Sequence, residues 1–207
     1  MIEVKNITHY YGEEKILDNI SFTLEKGSFT VLTGESGSGK TTLLSIVSTL
    51  LQPTSGEVKY TDIPLCTLDE MRNKYIGFVF QFHYLIAHLN VYENIKMVTK
   101  KKKDEILKVL ERLGIESLWN KYPSQISGGQ RQRAAIARAI INDPLYIFAD
   151  EPTGNLDSKN SQSVLEILRG LDATVLLVTH EKSYITKKDN LLYIHDGKLE
   201  VNKRIFL

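Results

Sequence analysis

Gln125-Ile126-Ser127-Gly128-Gly129-Gln130-Arg131-Gln132-Arg133 is the stretch on which the reading of this chain turns. Downstream, the apolar run Tyr146-Ile147-Phe148-Ala149 ends in Asp150-Glu151, and far upstream stands Gly34-Glu35-Ser36-Gly37-Ser38-Gly39-Lys40-Thr41-Thr42. The upstream run fits the Gly-x-x-x-x-Gly-Lys-Thr pattern of a phosphate-binding loop. It also lies where the physics requires, between a strand expected over 29–32 and a helix expected over 41–51. Glycines let the backbone curl so that successive N–H groups point at phosphate oxygens, and the helix N-terminus adds partial positive charge. Gly34, Ser36, Gly37, Ser38, Gly39, Lys40, Thr41 and Thr42 are therefore the expected nucleotide cradle. Lys40 would reach the β- and γ-phosphates, and the Thr41 hydroxyl would ligate Mg²⁺.

Composition narrows the class. With 207 residues, 42% hydrophobic and 25% charged, the chain suits one large soluble domain or a domain with a subdomain. A net charge of +1 gives no general attraction to nucleic acid or anionic lipid, so no nucleic-acid partner is expected. No run is long and apolar enough to span a bilayer, and the first residues lack a signal-peptide layout. A single cysteine, Cys66, excludes an internal disulfide. These features fit a cytoplasmic protein.

Periodicity predicts strands over 2–7, 16–24, 29–32, 57–60, 75–80, 146–149 and 174–178. Helices are expected over 129–142 and 158–171, and helical composition runs over 90–121. The order of elements implies an α/β fold with a parallel sheet. Lys100-Lys101-Lys102-Lys103 reads as a solvated linker between helical pieces.

Asp150 ends a buried strand, a position from which a carboxylate reaches Mg²⁺ through its water shell. Neighbouring strand residues face opposite ways, so Glu151 is free to meet an attacking water as general base. Ser127-Gly128-Gly129 opens a helix, and its N–H groups and dipole also favour an anion.

One phosphate loop, this Ser-Gly-Gly-Gln stretch and a terminal Asp-Glu together resemble the ATP-binding cassette (ABC) ATPases over nearly the whole chain. The resemblance implies a P-loop NTPase fold: a RecA-like core, an antiparallel β subdomain and an α-helical arm. That is one ABC domain over 1–207 with a helical subdomain at about 90–142. It implies ATP and Mg²⁺ as ligands, with Thr41, Gln81 and Asp150 around the metal. Glu151, His180 and Gln81 become the catalytic set, with Gln81 in the family's Q-loop and His180 the switch histidine. Tyr11 matches the aromatic that stacks on adenine, and Tyr10 competes for that role. Asp157 matches the D-loop aspartate.

In the family, two subunits pack head to tail and each signature caps the partner's ATP. Ser127, Gly128, Gly129, Gln130 and Asp157 would thus act in trans within a homodimer. The apolar loop Phe82-His83-Tyr84-Leu85-Ile86 would receive a transmembrane permease, holding the chain against the inner face of the membrane. Gly77-Phe78-Val79-Phe80-Gln81-Phe82 and the run from Asp150 to Asp157 resemble the branch of macrolide exporters, lipoprotein-release systems and bacteriocin exporters. The same branch holds a cell-division pair that signals across the membrane without moving a substrate, which is the alternative reading. A soluble ABC ATPase of chromosome upkeep would need a long coiled-coil insertion, and one of translation would need a second cassette; neither is present.

Overall fold

The computed structural model describes residues 1–200. In chain order the elements are β1 (Ile2–Tyr11), β2 (Glu14–Leu24), β3 (Phe29–Gly34), α1 (Lys40–Val47), β4 (Ser55–Tyr60) and α2 (Leu68–Tyr75). There follow β5 (Ile76–Phe80), α3 (Val91–Lys96), α4 (Lys103–Arg112), α5 (Gly128–Ile140) and β6 (Tyr146–Asp150). The last are α6 (Ser158–Arg169), β7 (Thr174–Val178), β8 (Asn190–His195) and β9 (Lys198–Glu200). They fall into two compact units, residues 1–68 with the chain from Ala173 onward, and Asp69–Asp172.

The first unit holds an antiparallel sheet, β2-β1-β4, and a parallel set in which β3 lies between β7 and β8, with β9 antiparallel at the edge. β3 and β7 are buried almost throughout, as expected of parallel strands covered on both faces. α1 packs on this set through Leu43, Leu44, Ile46 and Val47. The helix expected over 41–51 stops at Val47, because Thr49 takes the left-handed region (φ 68°), and Leu50, expected on an apolar face, is 47% exposed. The Tyr60 hydroxyl donates to the Val47 carbonyl and ties β4 to the end of α1.

In the second unit, parallel β5 and β6 pair from Ile76↔Tyr146 to Phe80↔Asp150. α5 lies over β5, and Gly77 leaves no room for a side chain against the Ala139 carbonyl. α2, which the periodicity did not predict, has no buried residue, so it carries no apolar stripe to read. The lysine run is not merely a linker. Lys101 pairs with Asp143, Lys102 sits at the α4 N-cap, and Lys103 stands 3.7 Å from the Trp119 ring centroid, a cation–π geometry.

Asn94 is the polar centre of the unit. It is buried on α3, and its Nδ2 donates to the carbonyls of Ile86 (3.1 Å), Leu89 (2.9 Å) and Asn90 (3.0 Å). Its Oδ1 accepts from the Ile86 N–H at 2.7 Å. Replacing the amide by an isosteric apolar group leaves buried backbone groups unpaired, at about 1–3 kcal/mol each before relaxation. Asn94→Leu is expected to lower unfolding stability by about 2 kcal/mol in urea titration.

Candidate nucleotide site and signature helix

In the first unit, the turn from β3 into α1 is shaped by two left-handed glycines, Gly37 (φ 78°) and Gly39 (φ 98°). Gly39 also admits no side chain: a Cβ there would lie 2.7 Å from Leu17 Cδ2 and 3.1 Å from the Ile16 carbonyl. β2 thus braces the loop. Lys40 is buried and its Nζ donates to the carbonyls of Gly34 (3.0 Å) and Glu35 (2.5 Å). Ser38 Oγ is buried with no hydrogen-bond partner among the described residues. A buried ammonium and an orphaned hydroxyl beside a left-handed backbone are the donor set a phosphate needs, so the loop fits a nucleotide. Thr41 is exposed at the helix start, while Thr42 is half-buried.

β7 runs parallel to β3 with Val178 level with Leu32, and the Thr179 N–H donates to the Leu32 carbonyl at 3.2 Å. His180 therefore leaves β7 at the same edge at which the phosphate loop leaves β3. The C-terminal edge of a parallel sheet is where α/β folds bind ligands. Tyr11 ends β1 at 54% exposed, its ring edge-on to His9 at 4.8 Å. Tyr10 is 37% exposed and has Lys15 Nζ over its ring at 5.6 Å.

The second unit holds the remaining candidates. Phe80 pairs with Asp150, so Gln81 and Glu151 leave their strands level with one another. The strand alternation invoked for Glu151 does not apply. β6 ends at Asp150, and Glu151 turns out of the strand in the left-handed region (φ 44°). Gly154 lies against the Gln81 amide, where a Cβ would meet Nε2 at 2.7 Å.

Ser127 is the N-cap of α5. Its Oγ accepts from the Gln130 N–H at 3.3 Å, and Gln130 Oε1 accepts from the Ser127 N–H at 2.9 Å, a capping box. The box satisfies two of the helix's four initial donors. The N–H groups of Gly128 and Gly129 have no partner among the described residues. Gly129 is also sterically required, since a Cβ would lie 2.5 Å from Asn160 Oδ1. Asn160 in turn donates to both Asp157 carboxylate oxygens, at 2.9 Å from its backbone N–H and 2.6 Å from its amide. These bonds, the backbone one foremost, hold the Asp157 carboxyl below its ordinary pKa.

Two residues without an assigned role in the sequence motifs, Gln132 and Arg138, fix the loop after β5 to α5. Gln132 Nε2 donates to the Phe80 carbonyl (3.2 Å), and the Arg138 guanidinium donates to the carbonyls of His83 (2.8 Å) and Tyr84 (2.7 Å). His83 answers with its side chain, Nε2 standing 3.1 Å from the Gly128 carbonyl oxygen. Burial lowers the His83 pKa, the Gly128 carbonyl opposes this, and the charge of Arg131 adds to the lowering. A signal for Gln132 and Arg138 was present: they are polar residues on a helix whose other residues from Ala134 to Ile140 are mostly buried. Phe82 and Tyr84 stand 60% and 64% exposed in the same loop, while Leu85 and Ile86 are half-buried.

The family described as ABC transporter matches residues 17–154, two thirds of the chain. The chain belongs to the ABC transporter family. An ABC transporter ATP-binding protein of Methanocaldococcus jannaschii is 41% identical, covering 96% of this chain and 97% of the relative. The lipoprotein-releasing system ATP-binding protein LolD of Buchnera aphidicola is 39% identical over 92% of this chain and 90% of its own. The ABC transporter ATP-binding protein YxdL of Bacillus subtilis is 42% identical over 96% of this chain and 85% of its own. Among solved structures, the dimeric ABC transporter cassette MJ0796 has a TM-score of 0.85 at 36% identity, covering 97% of both chains. A dimeric post-hydrolysis state of the same cassette, bound to ADP and Pi, has a TM-score of 0.83 at 36% identity and the same coverage. The cassette fold, with its parallel sheet and antiparallel β subdomain, is thus shared, and the chain is an ABC transporter ATP-binding subunit.

Gly39 gives a direct test of the loop geometry. Gly39→Ala forces an L-residue into φ 98° against Leu17. It is expected to cost about 2 kcal/mol of stability, read by denaturant unfolding, and to weaken nucleotide binding measured by titration calorimetry.

Proposed function

We propose that two copies of this chain close head to tail around two ATP molecules and that hydrolysis drives a separate transmembrane permease of the export or mechanotransmission kind. The observation that carries this reading is the pair of open N–H groups at Gly128 and Gly129, left by a capping box that satisfies their neighbours. A helix N-terminus with two unspent donors favours an anion. One chain has one phosphate loop and one such helix, so an isologous pair lets each helix cap the other copy's terminal phosphate. The MJ0796 cassettes, which are dimeric, support a working unit of two chains. Ser127, Gln130 and Asp157 accompany the two glycines at that surface.

Within each copy, Gly34, Ser36, Gly37, Ser38 and Gly39 curl around the phosphates, and Lys40 and Thr42 bind them. Tyr11, the more exposed of the two tyrosines, stacks its ring on adenine. Thr41, Gln81 and Asp150 are the residues that would hold Mg²⁺. This donor set is all oxygen and sparse, and the described residues contain no group of three His, Cys, Asp or Glu fit for a metal. That suits Mg²⁺, which keeps waters and phosphate oxygens as most of its ligands. Bound there, the ion would neutralise charge on the β- and γ-phosphate oxygens. Glu151 takes the proton of the attacking water, Gln81 orients that water, and His180 meets the γ-phosphate.

The loop bearing Phe82, His83, Tyr84, Leu85 and Ile86 offers the permease a partly apolar groove. No helix among the described residues is long and apolar enough to cross a membrane, so the membrane contact falls to that partner. Kinship with a lipoprotein-releasing system supports the export branch.

Glu151→Gln is expected to bind ATP, hydrolyse it roughly 10²-fold or more slowly, and accumulate as a dimer in size-exclusion chromatography. Full activity in that variant would remove Glu151 as the base. Ser127→Arg places a bulky cation at the helix cap. It is expected to leave ATP binding to the monomer intact and to abolish the ATP-dependent dimer in sedimentation experiments.

A further inference from the structure

Gly128 contributes the carbonyl, and Gly129 the N–H, of one planar peptide unit. The two ends of that unit face different tasks. Its N–H is one of the two open donors at the start of α5, and its oxygen lies 3.1 Å from His83 Nε2. Opposite a carbonyl oxygen the ring nitrogen must donate, which assigns the tautomer with hydrogen on Nε2. A bond at one end of a rigid plane limits its rotation and so aims the other end. It also polarises the amide and strengthens the N–H as a donor.

His83 is itself held. Arg138 grips its carbonyl at 2.8 Å and that of Tyr84 at 2.7 Å, while Gln132 grips Phe80 at 3.2 Å. Its flanking side chains, Phe82 and Tyr84, face outward. One residue therefore has its backbone in the exposed apolar loop and its side chain on the signature peptide.

We propose that His83 is a positioning residue for ATP hydrolysis, acting through the Gly128–Gly129 peptide to aim the Gly129 N–H at the terminal phosphate bound by the other copy. The inference rests on the head-to-tail reading above. It assigns a specific atom-to-atom link between the loop that faces the permease and the donor that closes the dimer.

The test uses the full chain carrying Glu151→Gln, with His83→Ala or His83→Gln added. The glutamine amide carries a donor at a reach similar to that of Nε2. Three quantities are read: ATP affinity of the monomer at low protein concentration, ATP-driven dimerisation by sedimentation, and, with Glu151 restored, kcat at saturating ATP. His83→Ala is expected to weaken the dimer and lower kcat by roughly tenfold each, with monomer affinity unchanged. His83→Gln is expected to restore most of both. Dimerisation of His83→Ala at parental strength would overturn the proposal. So would a parallel loss of monomer affinity, or a glutamine variant as impaired as the alanine one. Failure of the Glu151→Gln parent to dimerise would be a separate result, because His83 is intact there and the head-to-tail reading itself would fall.

Discussion

The first four N–H groups of any α-helix lack an intrahelical carbonyl, and the use made of those four in α5 organises the second unit. Ser127 and Gln130 satisfy one another, which fixes where the helix begins. That leaves the Gly128 and Gly129 donors. Their geometry is then defended from three sides. Asn160 fills the space a Gly129 side chain would need, Leu156 lies 3.6 Å from where a Gly128 Cβ would stand, and His83 holds the Gly128 carbonyl. Leu156 and Asn160 come from the end of the β6–α6 connection and the first turn of α6, and His83 from the loop after β5, so the helix start works as a junction as well as a cap.

The same economy governs the loop after β5. A loop of exposed aromatics has few apolar contacts to order it, and backbone groups without secondary-structure partners must be satisfied otherwise. Polar side chains, two buried and one half-buried, do so here. Asn94 takes the segment from Ile86 to Asn90, Arg138 takes His83 and Tyr84, and Gln132 takes Phe80. Three residues on two helices thus hold a loop that the hydrophobic effect alone would leave loose.

Much of this was legible in the sequence because motifs with fixed backbone requirements leave fixed spellings. Gly37 and Gly39 adopt the left-handed conformations that the phosphate-loop pattern demands, and Ser127 with Gln130 spells a capping box. The strand over 174–178 appeared as read, since a run buried on both faces has no ambiguous end. Other features were illegible for equally physical reasons. α2 buries nothing and so has no stripe, and the end of α1 depends on the left-handed turn at Thr49, a position with no glycine to announce it. The lysine run looked like solvent-facing charge because its cation–π partner, Trp119, is remote in sequence. Gln132 and Arg138 stand out only as polar residues on a largely buried helix, and neither their carbonyl partners nor the contact of Asn160 with Gly129 is encoded by any spacing rule.

Glu151 is the position at which stability and the proposed general-base role pull apart. A glutamate in the left-handed region carries roughly 1–2 kcal/mol of backbone penalty that asparagine or glycine would largely escape. Either of those residues would relax the chain after β6, and either would shorten the side chain or remove it. Random mutagenesis selected only for thermal resistance should therefore drift toward small residues here, yielding proteins that are harder to melt and, on the proposed role, without their base.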